Sequence, residues 1–144
     1  EVIREVINLN KLSDATIHFD ISQYKPNISV KADREQLNRV FLNLIKNSIE
    51  SIYVKKNKNI DFQGKITIDI KDDNDYIYVD VVDNGIGFDH VNKDKMLTPY
   101  YTTKEKGTGL GLAVVAKIIN DHNGLLLFNS IIDGAKVSIT VPKI

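Results

Sequence analysis

Apolar and polar residues change their period several times along this chain, and each change marks an element. Val2, Ile3, Val6, Ile7 and Leu9 recur at helical spacing over Glu1–Asn10. Ile17, Phe19 and Ile21 then alternate with polar residues over Thr16–Ser22, the period of a strand. Asn27–Lys31 reads as its hairpin partner beyond the turn Lys25-Pro26-Asn27. Asp33 with Gln36 three residues on forms a capping box, so a helix is predicted from Arg34 to Tyr53. At about 100° per residue, Leu37, Val40, Phe41, Leu44, Ile45, Ile49 and Ile52 share one broad arc of that helix. Gln36, Arg39, Asn43, Asn47 and Glu50 gather within about 40° of Asn43, at the edge of the arc. Lys55–Asp61 reads as a polar loop with solvated lysines at 55, 56 and 58.

Lys65–Lys71 and Tyr76–Val82 alternate as two strands around the turn Asp72–Asp75. From Asp83 to Thr108 periodicity is weak, and a loop of that length in a small domain is usually a functional lid or disordered. Leu110–Asp121 returns to the helical period and stops at Asn123-Gly124, a helix-ending signal. Two last strands, Leu125–Asn129 and Ala135–Val141, flank the turn at Asp133-Gly134. Hairpins alternating with helices predict an α+β fold, a two-layer sandwich with helices on one face of a mixed sheet.

Composition narrows the class. A chain of 144 residues is one domain long enough to bury a core. Nineteen basic and nineteen acidic residues cancel, which removes the field that would draw it to nucleic acid or an anionic membrane. The absence of cysteine rules out disulfides and thiolate metal sites and fits a cytoplasmic setting. Apolar runs near Leu110–Ala116 and Leu125–Phe128 are too short to span a bilayer, so membrane attachment is expected only through other parts of a parent chain. Glu1 falls inside a helical pattern, and a longer parent is expected.

Three local patterns carry candidate chemistry. Asn43-Leu-Ile-Lys-Asn47-Ser-Ile-Glu50 sets two amides one helical turn apart on a half-buried border, where an amide needs a partner. Asp83-Asn84-Gly85-Ile86-Gly87-Phe88 follows a strand; a carboxylate there can accept from an exocyclic amine, and the glycines let a flat ring approach the backbone. Lys106-Gly107-Thr108-Gly109-Leu110-Gly111-Leu112 runs into a helix, offering amides and a positive dipole end to phosphate. Singly, the first also reads as a solvated helix face and the second as a plain turn. The P-loop pattern Gly-x-x-x-x-Gly-Lys-Ser/Thr does not occur. Leu112 fills the third glycine position of a dinucleotide fingerprint, which therefore fails too.

In order and spacing these patterns resemble the superfamily of gyrase, Hsp90, MutL and the histidine kinases. The amide helix resembles its N box, Asp83–Phe88 its first glycine box, and Lys106–Leu112 its second. Pro99-Tyr-Tyr-Thr-Thr103-Lys104 resembles the F box of histidine kinases. The resemblance implies a Bergerat-type sandwich with an ATP lid over Asp89–Lys106. It also implies ATP and Mg²⁺ as ligands. Asp83 would accept the adenine amino group, with Gly85 and Gly87 shaping its pocket. Asn47 would hold Mg²⁺, with Asn43 nearby as the second catalytic amide. Thr103, Lys104, Lys106, Gly107, Thr108, Gly109, Leu110 and Gly111 would complete the ATP-binding set around the triphosphate.

Asn43 stands where hydrolytic relatives place a water-activating glutamate, and an amide is no base, so the resemblance favours phosphoryl transfer to a protein over hydrolysis. Glu50 departs from the basic residue that many histidine kinases carry there, whereas Asn-Ser/Ala-x-Glu occurs in the nitrogen-regulation branch of sensor kinases. His18, His90 and His122 are not set in a phosphoacceptor motif and read as structural or solvated. The expected function is therefore an ATP-binding catalytic domain. Its partners would be a dimerising histidine phosphotransfer domain upstream in the same homodimeric parent, and then a response regulator. Alternatives are an anti-sigma-type serine kinase and a nucleotide-binding module without catalysis.

Overall fold

The computed structural model describes residues 1, 3–4, 7–8, 16–22, 32–87 and 111–143. Over these the chain runs β1 (His18–Ile21), α1 (Arg34–Lys58), β2 (Lys65–Asp72), β3 (Tyr76–Asp83), α2 (Gly111–Asp121), β4 (Leu125–Ile131) and β5 (Gly134–Pro142). Residues 3–4 and 7–8 are helical, and Ile7 is part of the core. The expected strand Asn27–Lys31 and the lid Asp89–Lys106 lie outside the described residues.

The strands form one five-stranded sheet of order β1-β2-β3-β5-β4. Tight turns make β2–β3 and β4–β5 antiparallel hairpins, and β3 also pairs antiparallel with β5. β1 and β2 are parallel because α1 carries the chain back between them. The sheet is therefore mixed, as the alternation of hairpins and helices predicts. Both helices pack on one face of it: α1 lies against β2, β3 and α2, and α2 against β4. Ile66, Ile68, Val79, Val81, Val137 and Ile139 turn inward from the strands to meet Val40, Leu44, Ile45, Ile52, Val115 and Ile119 from the helices. Every second strand residue between them faces outward, which gives the two-layer sandwich.

α1 runs on past the predicted end at Tyr53 to Lys58. Nothing in Val54–Lys58 breaks a helix, and Lys55, Lys56 and Lys58 put positive charge beside the carbonyl end of its dipole. Asn59 N–H closes the end onto the Lys55 and Lys56 carbonyls at 3.2 and 3.1 Å. Lys55 and Lys56 are thus not loop residues left to solvent: Lys56 Nζ donates to Thr16 Oγ1 at 2.6 Å, and Lys55 reaches the candidate site. At the other end, Asp33 Oδ1 accepts from the N–H groups of Glu35 and Gln36, half of the expected capping box. The other half is replaced, since Asp33 N–H faces His122 Nε2 at 3.5 Å while His122 Nδ1 donates to the Ile118 carbonyl at 2.7 Å. His122 is structural. α2 ends as expected, with Asn123 at φ 56 and Gly124 N–H returning to the Ile119 carbonyl.

The β2–β3 turn is set by one carboxylate. Asp73 Oδ1 accepts from the N–H groups of Asp75 and Tyr76 at 2.8 Å each, and Tyr78 Oη donates to Oδ2 at 2.6 Å. The Tyr78 hydroxyl first, then the two amides, hold the Asp73 carboxyl below its ordinary value of 3.8, and the same bond raises Tyr78 above 10.0. A depressed carboxylate stabilises the fold above its unfolded pKa, and that contribution is lost as pH falls through the folded one. Asp73→Ala is therefore expected to lower the thermal midpoint at pH 7, with the gap to wild type closing in acid below the ordinary carboxylate range. A gap that persists there, in melts followed by circular dichroism, would show that the turn depends on something other than the charge.

Candidate functional site

α1 supplies one wall of the site. Asn43, Asn47, Ser51 and Lys55 recur every four residues, so they lie one above another along one face of the helix. Neighbouring positions Leu44, Ile45, Ser48 and Ile52 are buried, which fixes the rotation of the helix and leaves the stripe half-buried at the edge of the core. At its upper end the stripe meets α2. A Cβ placed on Gly111 would sit 3.8 Å from Asn43 Oδ1, so the first residue of α2 lies directly over the first amide.

The second wall is the end of β3. Asp83 is the last residue of this central strand and is only 6% exposed. Its Oδ1 accepts from Gly85 N–H at 2.9 Å, so the carboxylate is oriented by the loop that follows it. Several of the next polar groups of that loop are also bonded. Asn84 N–H donates to the Lys65 carbonyl, its side chain accepts from Lys65 N–H at 2.8 Å, and it donates to the Gln63 carbonyl at 2.9 Å. The Asn84 carbonyl accepts from Lys55 Nζ at 3.1 Å, and the same ammonium lies 4.8 Å from the centre of the Phe62 ring. Ile86 N–H donates to Ser51 Oγ at 3.0 Å.

The glycines of this loop answer to different neighbours. Gly85 turns its open side to α1, where a Cβ would stand 2.7 Å from Ser51 C and 2.8 Å from Ser51 Cβ. Close packing on the helix by itself requires glycine there. Gly87 has φ +79, and a Cβ on it would approach the Gly134 carbonyl oxygen to 2.8 Å. Gly134 in turn crosses the chain at Asp83–Asn84, with its missing Cβ 3.0 Å from Asp83 C and 3.1 Å from Asn84 Cα.

The fold thus brings Asn43, Asn47 and Gly111 together along α1, and Asp83, Gly85 and Gly87 together at the end of β3. Ser51 and Lys55 join the two groups. Thr103, Lys104, Lys106, Gly107, Thr108, Gly109 and Leu110 lie outside the described residues. Three residues of the site escape the sequence reading, Ser51, Lys55 and Gly134, while Asn84 falls inside the first glycine-box pattern without a role of its own. Extending the Asn43–Asn47 spacing by further turns reaches Ser51 and Lys55. Gly134 has no comparable signal, because only the pairing of β3 with β5 sets it beside Asp83.

An amide stripe on a helix against a buried strand-end aspartate, joined by glycine, is the arrangement that the resemblance to the superfamily implies. Residues 32–144 match the family described as histidine kinase-, DNA gyrase B-, and HSP90-like ATPase. Nitrogen regulation protein NtrY of Azorhizobium caulinodans is 33% identical over 134 residues, which cover 93% of this chain and 17% of NtrY. The nucleotide-free catalytic domain of histidine kinase ThkA is similar with a TM-score of 0.83 and 32% identity, over 99% of this chain and 90% of that one. ThkA in complex with response regulator protein TrrA is similar at 27% identity and a TM-score of 0.78, over 99% of this chain and 40% of that one. The chain belongs to the histidine kinase-, DNA gyrase B- and HSP90-like ATPase family, and within it to the catalytic domains of histidine kinases. It spans a small part of the length of the curated relatives it matches.

Proposed function

We propose that this chain binds ATP with Mg²⁺ and donates the γ-phosphoryl group to a histidine on a separate, dimerising helical domain of its parent sensor kinase. The observation that carries this reading is the convergence of two chemistries at one end of the sheet. The buried Asp83 carboxylate has one oxygen tied to Gly85 N–H, and adenine would be read beside it through its exocyclic amine. Asn43 and Asn47 stand on the adjoining helix face with the start of α2 above them, a setting for the triphosphate.

Asn47 offers a neutral amide oxygen of the kind Mg²⁺ accepts when phosphate oxygens and waters fill its remaining positions, so the residue fits the metal. Bound there, the metal would supply charge neutralisation between the phosphates. The protein's own contribution is positioning, which is most of what phosphoryl transfer asks of an enzyme. Asn43 has no basicity with which to draw a proton from water, which supports transfer to a partner over hydrolysis. Gly107, Gly109 and Gly111 would wrap the triphosphate, with Thr103, Lys104, Lys106, Thr108 and Leu110 completing the enclosure.

Further steps of the reading follow from relatives. The likeness to NtrY and the Asn47-Ser-Ile-Glu50 run support a nitrogen-regulation type of sensor kinase. ThkA is held in complex with a response regulator, which supports a protein of that kind as the downstream partner. The parent would work as a homodimer with this domain on the cytoplasmic side; among the described residues no helix is long and apolar enough to cross a membrane.

Calorimetry on Asn47→Ala tests the metal assignment. The variant is expected to bind ATP with Mg²⁺ about tenfold or more weakly, the loss of a contact to a charged group. Binding of ADP without metal should be nearly unchanged. Equal weakening of both would reveal a damaged helix and remove Asn47 from the metal.

A further inference from the structure

We infer that Ser51 is a positioning residue for base recognition, coupling the helix that faces the phosphates to the aspartate that faces adenine. The inference rests on the assignment of adenine to Asp83 and extends it.

The coupling is a short chain of bonds. Ser51 Oγ accepts from Ile86 N–H at 3.0 Å, and the preceding amide, Gly85 N–H, donates to Asp83 Oδ1 at 2.9 Å. These two N–H groups belong to consecutive residues, so fixing one restricts the orientation of the other. Gly85 adds a steric lock, because the Ser51 backbone and Cβ occupy the space where its side chain would be. Lys55, one turn further along α1, holds the same loop through the Asn84 carbonyl at 3.1 Å. Asn43 and Asn47 continue the stripe in the opposite direction. One rigid helix face therefore carries the phosphate-side amides at one end and the two anchors of the adenine-side loop at the other. A rotation or shift of α1 would therefore act on the loop that orients the Asp83 carboxylate. Sites held by locked neighbours lose little on binding, which gives the serine hydroxyl a role in affinity without a contact to the nucleotide.

Ser51→Ala keeps the Cβ against Gly85 and removes only the acceptor. Calorimetry on the 144-residue chain with Mg²⁺ and, in turn, ATP, GTP and tripolyphosphate reads the consequence. The expected result is an ATP affinity lower by about three- to tenfold, the range for one neutral hydrogen bond, with a smaller preference for ATP over GTP. Tripolyphosphate affinity should be unchanged. In an Asp83→Asn background the same serine substitution should cost nothing more, since its effect passes through that carboxylate. Lys55→Met, which keeps the stem over Phe62 but not the bond to Asn84, should repeat the pattern if the serine variant folds poorly. Unchanged ATP affinity in both folded variants overturns the inference, as does an equal loss for ATP and tripolyphosphate, which would mark a general helix defect. If Asp83→Asn alone leaves ATP binding intact, the adenine assignment itself has failed, a result separate from either of those.

Discussion

Incubated with γ-labelled ATP and Mg²⁺, this chain is expected to remain unlabelled and to release little phosphate, then to label a helical phosphoacceptor domain when one is supplied in trans. The physical basis is a division of labour. On the proposed reading, Asn43 takes the place of the glutamate that would activate water, and an amide cannot act as that base. None of the three histidines is set in a phosphoacceptor motif either. His122 has Nδ1 committed to the Ile118 carbonyl and Nε2 turned to Asp33 N–H at the far end of α1 from Lys55. His18 lies on β1, the edge strand at the opposite side of β2 from β3. His90 lies outside the described residues. With acceptor and donor brought together, orientation alone supplies several powers of ten in rate, about 7–11 kcal/mol in well-aligned intramolecular cases. The product should be a phosphoramidate, stable to base and lost in acid. Rapid phosphate release or self-labelling by the isolated chain would overturn the transfer reading in favour of an autonomous ATPase. Acid-stable phosphate on a partner serine would point to the anti-sigma-type kinase instead.

Asp83→Asn is the substitution with the largest expected effect. Asparagine retains an oxygen for Gly85 N–H, so the loop keeps its internal bond, while the charged acceptor is replaced by an amide. The residue is buried and its surroundings are closely packed by Gly134, which leaves little room to compensate by movement. The loss of a hydrogen bond to a charged group is about 1.5–3 kcal/mol, about ten- to a hundredfold or somewhat more in affinity for ATP. Titration with a fluorescent ATP analogue measures it, and a folded variant that binds as wild type removes Asp83 from the adenine.

The elements themselves were legible in the sequence because their signals are local. Alternation with a period of two marked β2 and β3, and the turn at Asp133-Gly134 set off β4 and β5, all to within a residue or two of their observed ends. The arc containing Leu44, Ile45 and Ile52 set the buried face of α1 and so placed Asn43 and Asn47 on its border. The order of the amide helix, the strand-end aspartate and the glycine-rich segment was enough to point to the family.

What only the tertiary structure decided is how those pieces bear on one another. The end of α1 was misjudged because a run of lysines and asparagine has no strong period of its own. It is helical because Lys55 and Lys56 find partners on Asn84, Phe62 and Thr16. The bond from Ile86 to Ser51 joins residues 35 apart, and no sequence period announces a contact between a loop and a helix at that distance. Gly134 is a site residue only because β5 lies between β3 and β4 in the sheet, which sets it across from Asp83–Asn84. Sequence periodicity reports which face of an element is buried. Strand order and helix docking determine what that face is buried against, and with it which unremarkable serine, lysine or glycine packs on the loop beside the candidate aspartate.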